Sequence, residues 1–190
     1  VSTQIDFTLS PAFEKLGPEQ RDKLEEMAFS QKFQPGKYVF HQGEESWGVY
    51  LVAKGLAGVE VDVGGQVVGL HEVGPGALLG WSGLTPPHTF TCSAIVIQET
   101  ELIGFRLDEL QAAMAEDETL AGAFLGAINE IVIDRLRETQ SRLAEFVSWY
   151  RYCRGYPLSY SEEEATVGRG KRPRAPEWAR ALEELEPARW

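Results

Sequence analysis

The sequence predicts a mainly β fold: short strands forming a sandwich or barrel, with helices before them and one long helix after. Three observations predict it. From Phe33 to Leu107, β-branched and aromatic runs alternate with glycine turns. Upstream, SPAFEKLGPEQRDKLEEMAFSQKF has helical spacing, and downstream of Leu107 the helical period returns as far as Tyr152.

In the first helical stretch, Ser10 suits a cap and Pro11 a first helical position. Gly17 interrupts the stretch, and Pro18 opens a second helix carrying Leu24, Met27 and Ala28 on one side. The strand runs are KYVFHQ, GVYLVAKG, GLAGVEVDV, QVVGLHEV, FTCSAIVI and TELIGFRL. VEVDV alternates, which suits a strand with one wet face. Val63-Gly64-Gly65-Gln66 is a hairpin signal, because both central residues accept positive φ. LDELQAAMAED reads as a short helix. ETLAGAFLGAINEIVIDRLRETQSRLAEFVSWYRY reads as one long helix, or as a short one followed by a long one.

That last segment carries a seam. Leu125, Val132, Thr139 and Phe146 recur every seven residues, and so do Asn129, Leu136, Leu143 and Tyr150. Spacing of 3.5 is the period of paired helices, so a homodimer through this helix is expected. A helix packed on the protein's own sheet is the other reading.

Composition narrows the function. The chain has 190 residues, 43% of them hydrophobic, enough for one cored domain with an appended piece. No apolar run reaches membrane-spanning length, and VSTQIDFTLSPAF has neither the basic start nor the apolar centre of a leader. Cys92 and Cys153 lie far apart, which points to free thiols and a cytoplasmic setting. Residues 1–150 hold 10 basic and 22 acidic side chains, a net of −12. Such a body repels nucleic-acid phosphates, so direct sequence-specific DNA binding is not expected of it.

FQPGKYVFHQGEESWGVYLVAKGLAGV, followed by PGALLGWSGL and FTCSAIVIQETEL, resembles the cyclic nucleotide-binding domains of the catabolite activator protein type. Pro35, Gly36, Gly43, Tyr50, Leu51, Gly55 and Val59 carry the first part of the match. The resemblance covers about residues 10–150. It implies a double-stranded β-helix of jelly-roll, cupin-like form, flanked by N-terminal helices and a long C-terminal dimerisation helix. It also implies that PGALLGWSGL is the phosphate-binding cassette. Leu79, Gly80, Trp81, Ser82, Gly83, Leu84, Phe90, Thr91 and Cys92 then surround the ligand pocket.

The match fails where the charge should be. In the family an acid follows the cassette glycine and holds the ribose, and an arginine about ten residues on forks onto the phosphate. Here Trp81 stands at the acid's place and Phe90 at the arginine's. A buried anion that lacks its partner costs on the order of 3–5 kcal/mol. Helix amides return only about 0.3–2 kcal/mol. At ~1.4 kcal/mol per tenfold, the pocket is expected to bind cyclic AMP or cyclic GMP at least a hundredfold more weakly.

The residues allow two readings of the pocket. Trp81, Phe90, Leu79, Leu84 and Val96 close it themselves, or an apolar or aromatic ligand stacks against Trp81 and Phe90. Haem would call on His88 or Cys92, and a cupin-type metal on His41, His71 and His88. No His-x-His pair supports the latter, so no cofactor, metal or catalysis is expected.

The chain divides on this reading into a roll with its N-terminal helices at 1–118, a pairing helix at 119–152, and a linker with a short terminal helix at 153–190. The last part shows no two-helix apolar pattern of a helix-turn-helix. It carries the acidic triplet at 162–164 and the basic run KRPR at 171–174. Trp149, Tyr150, Tyr152, Tyr156, Trp178 and Trp190 are candidate contacts for a protein partner. The expected function is a non-enzymatic regulatory or interaction module; a small-molecule sensor signalling through the pairing helix is the alternative.

Overall fold

The computed structural model of the protein describes residues 4–10, 13 and 16–154. The expectations for the linker, the basic run and the terminal helix lie outside the described residues, apart from the first residues of that span. The chain divides into two compact units, residues 1–131 and 132–190.

In the first unit a short 3₁₀ turn, Phe7–Leu9, is capped by Asp6, whose carboxylate accepts from the Thr8 amide. Helix α1, Pro18–Met27, starts at its proline, whose missing N–H costs nothing in a first turn. It buries Leu24. The helix stops sooner than the sequence spacing suggests. Ala28–Phe33 is strand β1 instead, paired antiparallel with Thr100–Phe105. Helical spacing of Met27 and Ala28 was a local signal; the ladder with a distant strand outweighs it.

Strands β2 (Tyr38–Phe40), β3 (Gly48–Val63), β4 (Gln66–Val73), β5 (Leu78–Leu79) and β6 (Ser93–Arg106) follow. Every ladder is antiparallel. The order is β1-β6-β3-β4, with β2 also on β6 and β5 also on β3. Two pairs of runs that read as separate strands are continuous, forming β3 and β6. Register shifts between Val52 and Ala57 let these two long strands bend together. Gly64 and Gly65 turn the β3–β4 hairpin at φ 65° and 89°.

Both faces of β3 are buried from Gly48 to Val52, so the core has two parts. Tyr50 and Val52 point into the roll with Phe40, Leu79, Phe90, Ala94, Val96 and Leu102. Val49 and Leu51 point to the helix side with Phe13, Leu24, Phe105, Leu110, Leu120 and Phe124. Burial of Tyr50 pushes its phenol well above the usual tyrosine range, so it stays neutral.

Helix α2 (Leu107–Glu116) and helix α3 (Glu118–Arg154) are separated by Asp117 alone. Its Oδ1 accepts from the amides of Thr119 and Leu120, both at 3.0 Å, and Lys23 Nζ donates to Oδ2 at 2.6 Å. The long segment is therefore one helix from Glu118, and its first turns bury Leu120, Phe124 and Ala127.

The described part of the second unit is the remainder of α3. Ion pairs Arg137–Asp134 and Arg142–Glu138 run along it at helical spacing. No helix among the described residues is long and apolar enough to cross a membrane.

Candidate ligand pocket

In the segment PGALLGWSGL, Gly80 stands at φ 76°, a backbone state that side chains resist. A Cβ there would also lie 2.9 Å from the Gly48 carbonyl oxygen and 3.0 Å from the Phe90 ring. The 3₁₀ turn Trp81–Leu84 follows. Its amide at Gly83 donates to Gly80 O at 3.1 Å.

Phe90 is the centre of the site. It is 1% exposed and lies flat on Phe40, with ring centroids 3.8 Å apart and planes at 11°. Phe40 in turn stacks toward Tyr50 at 6.2 Å. The backbone locks Phe90 in place: its amide donates to Glu44 O at 3.0 Å, and its carbonyl accepts from Gly43 N at 2.8 Å. The Phe90 ring is thus part of the roll's own core.

The cassette is also tied to the strand-side segment without a ligand. Ser82 Oγ accepts from the Thr91 amide at 3.2 Å and lies 3.4 Å from Thr89 O, to which it donates. His88, in a left-handed conformation at φ 57°, sets Nδ1 2.8 Å from Gly83 O.

The structure sorts the candidate residues. Leu79, Phe90 and Val96 meet in the roll interior. Trp81 and Leu84 pack against the helix-side core instead. Trp81 and Phe90 thus pack against different clusters. Gly83 is buried, Thr91 exposed, and Cys92 half-buried as a free thiol. Among the described residues no three of His, Cys, Asp and Glu converge as metal ligands. Of the seam residues, Val132 is half-buried, while Leu125, Asn129, Leu136, Thr139, Leu143, Phe146 and Tyr150 are exposed.

Sequence reasoning missed Phe40, which stacks on Phe90. The signal was present: KYVFHQ places an aromatic beside Val39 in a short strand, and only the fold shows which of Tyr38 and Phe40 turns inward.

Residues 30–117 match the family model of the cyclic nucleotide-binding domain. That stretch, just under half of the chain, is similar to this domain family. The chain is 38% identical over 104 residues to the cyclic AMP receptor protein of Thermus thermophilus, a match covering 53% of this chain and 48% of that protein. It therefore spans about half the length of that relative. Among solved structures it resembles the Thermus thermophilus catabolite activator protein, at TM-score 0.59 and 25% identity over 77% of this chain and 72% of that one. It also resembles the N-terminal domain of a transcriptional regulator from Streptomyces coelicolor, at TM-score 0.55 and 27% identity over 70% and 92%. The jelly-roll expectation holds.

Proposed function

We propose that this chain is a non-enzymatic regulatory module that dimerises through α3 and whose cyclic nucleotide pocket is filled by its own side chains. One observation carries the reading: Phe90, at the place of the phosphate-binding arginine, is buried face to face with Phe40. A cyclic nucleotide would have to displace a packed ring and then leave its phosphate without a cation. Both steps act against binding, each by several kcal/mol on the order of a lost core aromatic or an unpaired buried anion.

The pairing part rests on the exposed seam. Leu136 and Leu143 are 54% and 58% exposed, and a second copy would cover them. A module of this kind acts through protein contacts, in a cytoplasmic setting, without reading DNA itself.

Titration calorimetry with cyclic AMP and cyclic GMP tests the pocket, and sedimentation tests the pairing. No heat at millimolar nucleotide, together with a dimer, is expected. Micromolar binding of either nucleotide would overturn the pocket reading, and a monomer would overturn the pairing.

A further inference from the structure

A second concave site lies on the outer face of the roll, away from the plugged pocket. Along β3 and β6, Ala57 and Val96 pair and point inward, so Glu60 and Ser93, paired three residues further along each strand, point outward. Across the hairpin Asp62 pairs with Val67 on that same outer face. Together with Tyr38, His41 and Gln42 they line a cleft of about 200 Å³.

The cleft is ordered by its own hydrogen bonds. Tyr38 Oη donates to Glu60 Oε1 at 2.5 Å, and this bond raises the Tyr38 phenol's pKa. The Gly65 amide donates to Asp62 Oδ1 at 2.6 Å. Gln42 accepts from the Asp62 amide at 2.7 Å and donates its own amide to Ser93 Oγ at 2.9 Å. Each carboxylate is thus held by one oxygen, and its second oxygen has no partner among the described residues. Beside them the Tyr38 and His41 rings stack at 4.3 Å into an aromatic wall. The lining holds no Lys or Arg.

We infer that this cleft is a docking site for an arginine side chain presented by a partner protein. The inference rests on the proposed role as an interaction module and supplies its partner's chemistry. Size decides against a free metabolite, since small-molecule pockets run about 300–1,000 Å³. Charge decides the sign: two preset carboxylates in an acidic body draw a cation in. Shape favours arginine over lysine, because a planar guanidinium forks onto carboxylates and lies against aromatic rings, while an ammonium is a point charge. Val67, 60% exposed at the rim, gives the partner's neighbouring side chain an apolar contact.

The test uses the full chain and a fluorescent hexa-arginine peptide at low salt. E60Q/D62N keeps the shape and removes both charges. D22N/E26Q neutralises two exposed acids of α1 as a control for diffuse attraction. Melting curves confirm that both variants stay folded. Wild type is expected to bind the peptide, E60Q/D62N about tenfold more weakly, and D22N/E26Q within about twofold of wild type. Hexalysine should bind more weakly than hexa-arginine. Equal loss in the two double variants, no binding by wild type, or spermine binding as tightly as the peptide would each overturn the inference; the last would make the cleft a polyamine site. Neither variant touches Phe90 or the seam, so failure here stays separate from failure of the nucleotide or pairing tests.

Discussion

Phe90 carries the proposed filling of the pocket by the roll's own side chains. A guanidinium in this position needs an anion to neutralise it; a phenyl ring needs only neighbours, and Phe40 supplies them. Truncating a buried phenylalanine costs about 3–5 kcal/mol. Phe90→Ala should therefore lower the melting temperature by roughly 10 °C, at 2–4 °C per kcal/mol for a chain of this size. Phe90→Arg sets a buried cation among apolar groups and should be at least as damaging. Its distinguishing feature is rescue: cyclic AMP should raise the melting temperature of Phe90→Arg and leave wild type unchanged. A nucleotide-dependent rise in wild type would refute the filled pocket. Neither Phe90 nor Trp81 needed a structure to be singled out, since each breaks a charge pattern. Their different destinations did need one, because side-chain direction depends on where the 3₁₀ turn sits on the sheet.

Among elements, the joint between α2 and α3 has the clearest electrostatic signature. The Lys23 hydrogen bond and then the helix amides hold the Asp117 carboxyl below the usual aspartate range. Asp117 raises the Lys23 ammonium above its ordinary value. The depressed acid contributes stability above its unfolded pKa of about 3.9 and loses it as pH falls through the folded value. The raised lysine contributes below about 10.4 and loses its share as pH rises past the folded value. Melting temperature should thus fall at both extremes, and Asp117→Asn should flatten the acid limb while keeping the cap, which asparagine also makes. An unchanged acid limb would mean that other carboxylates dominate. The seam gives the second prediction at this scale. Leu136→Asp with Leu143→Asp should weaken the proposed dimer at least a hundredfold in sedimentation, since each buried leucine is worth about 1.5–3 kcal/mol. The roll's melting should change little, because both residues lie in the second unit.

For the whole molecule, charge is the governing quantity. With a net of −11, the chain should fail to retain duplex DNA in a mobility shift at ~0.1 M salt, where binding relies on phosphate neutralisation. Retention would show that the basic residues beyond 150 act together against the acidic body.

Much of the molecule follows from the chain read linearly. The glycine-punctuated strands, the Gly64-Gly65 hairpin, the start of α1 at Pro18 and the seven-residue seam are local patterns, and local sterics and periodicity determine them. That Trp81 and Phe90 stand where the resemblance places an acid and an arginine was likewise legible along the chain. Tertiary structure decided the rest: Ala28–Phe33 became a strand through a partner some seventy residues away, Phe40 and Phe90 met face to face, and Glu60, Asp62 and Tyr38 gathered into an outer cleft. Those outcomes depend on long-range pairing and on which face each side chain takes, and neither is encoded in the spacing of neighbours along the chain.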